Sequence, residues 1–416
     1  LNPVAVRMLL ILMTFRTGWG DQMKIAHVAD SHWGFGYPGP SAESRFEDIT
    51  RTMDWVADRI IEERCELVLF AGDAFKDARV YIDRATAEIK AFTSWLRKLS
   101  GAGIEVVVIS GTPSHDAISA YHLIREMQIH GVQVFTEPNN IHVRGVNIAC
   151  LPGMNRSSFA TESSFSGLPP HEFHSKMTDW ITTECERLKS RCSDTQPNIL
   201  MSHLTFDLAD TGFEDALLQN EPILTNEAAK MFDMVCLGHI HRPQLAGSNV
   251  YYSGAPERHN FGDERTVPGF YIHDLDGVSF PADVPGFKST FIETPARRFK
   301  TIDWCDMDIQ AWLDGQIDDF ATVKDAIVRV RYECSEELQK QFDRRSLEKA
   351  LYDAGAFFVA EIRAEVERSE RIRDAEVTES LSPLTALTAW GNNQGYTDDE
   401  IDELQAMTTE LLEVTG

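Results

Sequence analysis

An α/β fold around a largely parallel, doubly wound sheet is predicted by three features of the sequence. Short apolar runs such as Leu67-Val-Leu-Phe-Ala71 and Ile104-Glu-Val-Val-Val-Ile-Ser110 read as strands buried on both faces. Stretches with helical spacing of apolar residues lie between them, which is the βαβ pattern. The runs stop at a small residue followed by a carboxylate, hydroxyl or imidazole. Polar groups therefore collect at the carboxyl ends of strands, the edge where open α/β sheets bind ligands.

Met23 to Ala29 forms the first predicted strand and delivers Asp30 and His32 into a loop containing Gly and Pro. A helix is expected from about Phe46 to Glu63, with Phe46, Ile49, Met53, Val56 and Ile60 on one stripe. The strand Leu67 to Phe70 ends at Gly72-Asp73. Gly-Asp after a strand is also ordinary turn chemistry, so Asp73 gains weight only from the other strand ends. A helix from about Ile82 to Leu99 precedes the strand Ile104 to Ser110, which runs into Gly111-Thr-Pro-Ser-His-Asp116. Short strands follow at Gln133 to Phe135, Ile141 to Val143 and Val146 to Leu151, then a loop from Gly153 to Pro170. His171 and His174 read as the solvated start of a helix that reaches Lys189.

The strand beginning at Asn198 delivers His203, and the run from Phe232 to Gly238 delivers His239 and His241, alternate residues that point the same way on an extended backbone. Val250 to Pro256, Gly269 to Ile272 and Ser289 to Glu293 are expected as antiparallel strands closing the domain. A compact α+β module follows: a strand from Val323 to Glu333, a helix from Arg345 to Ala354 and a strand from Phe357 to Glu367. The acidic tail ends in a helix from about Asp398 to Val414 whose stripe, Ile401, Leu404, Met407, Leu411 and Leu412, packs on its own domain or on a partner. The expected division is an extension over 1–22, a catalytic domain over 23–285, an α+β module over 286–375 and a helical segment over 376–416.

With 65 acidic and 39 basic residues and a net charge of -26, the chain repels nucleic acid and anionic membranes as a whole. A polyanionic substrate must be held by metals, a local basic patch or a partner. Seven cysteines without Cys-x-x-Cys pairs suggest a reducing compartment, the cytoplasm. Arg7 and the run Met8 to Phe15 resemble parts of a signal peptide, but the run is too short to span a bilayer. It is read as a dispensable leader or an upstream start choice rather than a secretion signal.

Five strand ends thus supply Asp30, His32, Asp73, His115, His203, His239 and His241. A mixed Asp/His set suits two borderline transition-metal ions bridged by a carboxylate, which together activate water and clamp the oxygens of a phosphate ester.

The ordered set Asp-x-His, Gly-Asp, a Gly-to-His-Asp loop, a lone His and Gly-His-x-His resembles the calcineurin-like metallophosphoesterases. Within that superfamily Met23 to His32, Gly238 to Pro243 and Tyr252-Ser-Gly-Ala-Pro-Glu-Arg-His-Asn-Phe-Gly262 resemble the SbcD subunit of the Mre-type DNA repair nucleases. Phe291 to Arg297 and the following module resemble that family's capping domain. The resemblance implies a four-layer α/β sandwich, two central mixed sheets flanked by helices, with a small α+β cap. It implies two divalent ions, manganese or else magnesium, one held by Asp30, His32, Asp73 and His241, the other by Asp73, His203 and His239. His115 with Asp116 takes the catalytic position as proton donor. A homodimer, DNA as substrate and an SbcC/Rad-type ATPase docked on the C-terminal helix are implied too, with no membrane partner.

The sequence departs from the family at the third motif, where Gly-Asn-His is expected and Gly111-Thr-Pro-Ser-His115 stands. Ser114 is then the neutral oxygen ligand to the second ion, or Thr112 if the loop folds inward, or His115 itself shifts to the metal. Lys76 stands where relatives carry histidine and, with Arg258, is assigned to substrate phosphate; a solvated Lys76 is the plain alternative. Arg297, Arg298 and Lys300 line a DNA path or are a solvated charge run. Two other functions compete with a nuclease: a scaffold whose second metal site has decayed, and a phosphoesterase acting on small phosphodiesters.

Overall fold

The computed structural model describes residues 23–78, 86–114, 116–160, 163–211, 221–275, 287–317, 320–364, 384–385, 387–388, 392 and 396–415. The expected extension over 1–22, His115 and most of the tail from 365 to 395 lie outside the described residues.

Two six-stranded mixed sheets form the centre. In chain order the strands are β1 (Lys24–Val28), β2 (Leu67–Ala71), β3 (Glu105–Ile109), β4 (Val132–Phe135), β5 (Asn139–Val143), β6 (Val146–Leu151), β7 (Asn198–His203), the short pair β8 (Thr205–Phe206) and β9 (Ile223–Leu224), β10 (Met234–Gly238), β11 (Gln244–Ala246), β12 (Val250–Tyr252), β13 (Gly269–Asp274) and β14 (Lys288–Glu293). The first sheet has the order β14-β13-β1-β2-β3-β4 and the second β11-β12-β10-β7-β6-β5. β1, β2, β3 and β4 run parallel, as do β6, β7, β10 and β12.

The helices on the first sheet are α1 (Ala42–Glu62), α2 (Thr86–Gly101) and α3 (Ile118–Glu126). α1 begins where Ser41 caps the backbone N–H of Ser44 and packs Ile49, Met53, Val56 and Ile60 on Val28 and Phe70 of the sheet. After the single-turn α4 (Arg156–Phe159), α5 (Pro170–Lys189) covers the second sheet with Ile181, Cys185 and Leu188. Between the sheets lie Ile25, Leu69, Val107, Ile148, Ile199 and Met234, so the central strands are buried on both faces, as their unbroken apolar runs require. Helix, sheet, sheet, helix is the four-layer order expected.

Two expectations are corrected. β12 runs parallel to β10, not antiparallel, because the three-residue β11, too short to read from the sequence, makes the hairpin turn before it. The loop from Gly153 to Pro170 holds α4, capped by the Asn155 side chain on the N–H of Ser157, and α5 starts at Pro170.

The chain divides into two compact units, 1–303 with 317–330 and 343–362, and 304–316 with 331–342 and 363–416. A three-stranded sheet has the order β15 (Arg298–Trp304), β16 (Ala326–Tyr332), β17 (Phe358–Ala364). In the first unit, α1 is fastened to the residues leading into β15. Asp48, almost fully buried, accepts from Arg45 at 2.8 Å, Arg51 at 2.6 Å and both Nε and Nη2 of Arg297, at 2.5 and 2.6 Å. Buried Glu257 accepts from the backbone N–H groups of Arg258 and Arg297, each at 2.9 Å, and from the Thr52 hydroxyl. The second unit has α7, after the single-turn α6 (Asn226–Ala229) of the first; α7 (Asp306–Leu313) is followed by α8 (Glu336–Gln341), and the unit ends in α10 (Asp398–Thr415), while α9 (Arg344–Asp353) belongs to the first. No helix among the described residues is long and apolar enough to cross a membrane.

Candidate metal centre

The parallel strands β1, β2, β7 and β10 end at one edge of the sandwich, and their last residues are stitched together across the two sheets. Asp30 N–H donates to the Gly72 carbonyl at 3.0 Å and His32 N–H to that of Asp73 at 3.1 Å. His203 Nδ1 donates to the Ala71 carbonyl at 2.7 Å, and the His239 N–H donates to the Asp30 carboxylate at 3.0 Å. Four of the non-glycine residues among these have positive φ: Asp30 (56°), His32 (46°), Asp73 (52°) and His239 (94°). Non-glycine residues held there cost on the order of 1–3 kcal/mol each, and such strain collects at functional sites. The turns approach so closely that a Cβ on Gly111 would overlap Asp73 Oδ1, and one on Gly238 would lie 2.7 Å from His203 Nδ1.

Six of the seven predicted strand-end residues converge. Asp30, Asp73 and His203 form one buried cluster of donor atoms, and His32, His241 and His259 another. Asp73 joins them: its Oδ2 is 3.3 Å from His203 Nε2 and 3.6 Å from His32 Nε2. His32 Nε2 and His241 Nε2 face each other at 3.1 Å, and the His239 ring lies 5.3 Å from that of His203. Imidazole nitrogens and carboxylate oxygens aimed at one volume fit divalent transition metals, with Asp73 placed to bridge.

The electrostatics agree. Burial alone would lower His203, yet Asp73 and Asp30 lift its imidazole to about 10. Desolvation raises the Asp30 carboxyl above its ordinary value, with the Asp73 charge adding to it. Both shifts come from carboxylates buried side by side, surroundings that favour a cation among them.

Second partners orient the histidines, as is usual for metal ligands. Asp263 Oδ1 is 3.4 Å from His241 Nδ1, and Glu221 Oε2 is 3.0 Å from His239 Nε2. His259 Nε2 lies 3.0 Å from the Asp30 carbonyl oxygen, and its ring packs 4.9 Å from His32 and 5.1 Å from His241. These three residues were missed in the sequence. His259 and Asp263 follow closely on Ser-Gly-Ala-Pro, and their acid-and-imidazole composition was the available signal; Glu221 carried none.

The remaining assignments fare differently. Asp116 is not a catalytic group facing solvent: its fully buried carboxylate accepts from the backbone N–H groups of Asp73, Phe75, Gly111 and Ala117 and from the Tyr121 hydroxyl at 2.6 Å. Burial, with Asp73 nearby, pushes it up to about 7. Asp116 positions the loops that carry Asp73 and Thr112. His115 lies outside the described residues. Ser114 is exposed, whereas Thr112 is buried and donates its N–H to Asp73 Oδ1 at 3.1 Å, so the inward hydroxyl of this loop is that of Thr112.

Lys76 Nζ lies 5.1 Å from the centre of the Phe35 ring, which stacks on His259 at 4.7 Å, so this cation stands beside the histidine cluster. Arg258, expected at substrate phosphate, donates from Nε and Nη1 to the carbonyls of Thr266 and Arg297 and so ties these segments together. Arg297 is likewise spent on Asp48, and Arg298 donates to the Lys324 carbonyl at 2.6 Å. His171, with its side chain 80% exposed, sits at the solvated start of α5 as expected.

Residues 23–243 match the family described as calcineurin-like phosphoesterase. Among solved structures, the chain is similar to one described as a 5'-nucleotidase from Staphylococcus aureus in complex with alpha-ketoglutarate, at 10% identity and a TM-score of 0.38, covering 66% of this chain and 53% of that one. It is also similar to a dimetal phosphatase from Danio rerio, at 10% identity and a TM-score of 0.36, covering 66% of this chain and 99% of that one.

Proposed function

The chain belongs to the calcineurin-like phosphoesterase family, and from that premise we propose that this metal-dependent phosphoesterase is a DNA nuclease, the SbcD-like subunit of a complex with an SbcC/Rad-type ATPase. One observation carries the choice of substrate class. The segment Tyr252 to Gly262, which resembles the corresponding stretch of SbcD-like nucleases, supplies His259, whose ring packs on His32 and His241 and whose Nε2 is 3.0 Å from the Asp30 carbonyl oxygen.

When bound, two divalent ions supply a water that is nucleophilic at neutral pH and charge to neutralise the phosphate. Asp30, His32, Asp73 and His241 would hold one, and Asp73, His203 and His239 the other, with manganese the assigned metal. Thr112, buried and donating its N–H to Asp73, takes the neutral-oxygen role in place of Ser114. Lys76 would meet a phosphate oxygen as a point charge, and His115 keeps the assignment of proton donor to the leaving oxygen. Dimerisation and docking of the ATPase on α10 belong to the same proposal.

Purified chain with manganese is expected to degrade linear double-stranded DNA, measured by release of acid-soluble nucleotides. Hydrolysis of bis-p-nitrophenyl phosphate without any cleavage of DNA would instead assign a small-phosphodiester enzyme, and bound metal without hydrolysis of either would assign a scaffold.

A further inference from the structure

A second cluster lies inside the sandwich, away from the strand ends. His27 on β1 and His273 on β13 face the layer between the sheets, and Cys236 on β10 faces them from the other sheet. All three are fully buried, and one ligand-type atom from each lies within 4.8 Å of the other two.

Each imidazole has one nitrogen engaged and the other left over. His27 Nε2 is 3.1 Å from the Leu237 carbonyl, to which it donates, so Nδ1 carries the lone pair; that atom is buried and has no hydrogen-bond partner. His273 Nδ1 is 2.8 Å from the Ser289 hydroxyl, and its Nε2 is likewise buried without a partner. A buried polar atom left unsatisfied costs about 1–3 kcal/mol, and here two occur in one cluster beside a thiol. An imidazole fixed through one nitrogen with the other left over is the arrangement of a metal-ligating histidine, and one nitrogen of each ring lies within 4.8 Å of the other and of the Cys236 sulfur.

We propose that His27, Cys236 and His273 form a buried site for a soft cation, copper(I) or zinc(II), distinct from the dinuclear centre. Thiolate with two imidazoles selects soft and borderline ions over manganese or magnesium. Bond lengths of about 2.0–2.3 Å need donors about 3.5 Å apart, so the side chains close by up to about 1.3 Å from the 4.8 Å separation. On binding, the Cys236 S–H bond breaks, the sulfur bonds the cation, and the proton leaves to solvent. Copper(I) then gives a neutral assembly, one thiolate against one positive charge, whereas zinc(II) leaves one net positive charge in an apolar layer; the charge balance favours copper(I). Both imidazoles stay neutral and ligand-ready, since burial lowers His27 to about 3 and His273 well below its ordinary value.

The bound ion would join β1 and β13 of one sheet to β10 of the other. Asp30 follows His27, and His239 follows Cys236, each by three residues or roughly 10 Å of strand. The site is therefore a staple for the strands that present the catalytic residues.

Metal-free full-length chain, kept reduced and anaerobic, is titrated separately with copper(I), zinc(II) and cobalt(II). Wild type is expected to bind one more equivalent of copper(I) or zinc(II) than Cys236→Ser and His273→Gln, and cobalt(II) is expected to give a thiolate-to-metal charge-transfer band that Cys236→Ser lacks. The dinuclear centre contains no cysteine, and loss of the band in Cys236→Ser separates this site from other thiols such as exposed Cys305; circular dichroism checks that both variants are folded. Copper(I) binding without zinc(II), or the reverse, identifies the ion. Equal stoichiometry for both ions in wild type and both folded variants, with no band in wild type, overturns the proposal.

Discussion

Asp73→Asn is expected to lower manganese-dependent turnover about a thousandfold or more while the chain stays folded. The amide keeps an oxygen for the Thr112 N–H, which donates to Asp73 Oδ1 at 3.1 Å, so the local turn survives. What is lost is the charge that faces both His203 and His32, the one carboxylate placed to bridge. Metal stabilisation of a phosphoryl transition state amounts to several kcal/mol, and about 4 kcal/mol corresponds to roughly a thousandfold in rate. Steady-state kinetics with manganese quantification on the same sample checks this. A variant that keeps wild-type turnover would remove Asp73 from the bridging position.

Asp48→Ala carries the largest expected loss of stability, about 3–5 kcal/mol, because it removes one side of a buried ion-pair network and leaves Arg45 and Arg297 without their anion. Arg45 is fully buried and is left with its bond to the Arg258 carbonyl. Urea unfolding of wild type and variant reads the difference, and a change within about 0.5 kcal/mol, typical of a surface substitution, would contradict the account. Acid adds a second signature. Burial would raise the Asp48 carboxyl, but the hydrogen bonds from Arg297 and Arg51 hold it below its ordinary value. Its contribution is present above the unfolded value of about 3.9 and is lost as pH falls through the lower folded value. Wild type loses this part of its stability in that acid window, and Asp48→Ala has none to lose.

Much of the fold and centre was legible because the strands are buried on both faces, which writes them as unbroken apolar runs, and because the ligand-type residues follow those runs directly. Asp30, Asp73, His203 and His239 needed no knowledge of packing between distant segments, only recognition of where each strand ends. What escaped depended on tertiary contacts. Asp116 was expected as a catalytic group and Arg258 as a phosphate contact, but both hydrogen-bond to backbone groups that include ones remote in sequence, Asp73 N–H for Asp116 and the Arg297 carbonyl for Arg258. Ser114 and Thr112 are both hydroxyl residues on one loop, and only the fold shows that Thr112 turns inward. His27, Cys236 and His273 read as isolated strand residues, since the antiparallel pairing of β13 on β1 and the facing of β10 from the second sheet bring them together.

Manganese bound to metal-free wild-type chain, counted and examined by electron paramagnetic resonance, tests the shared centre most directly. Thiolate-containing sites select against this ion, so the count reports the Asp/His cluster. Two equivalents per chain with the spectrum of an exchange-coupled pair are predicted from Asp73 standing between His203 and His32. One equivalent with the spectrum of an isolated ion would contradict it.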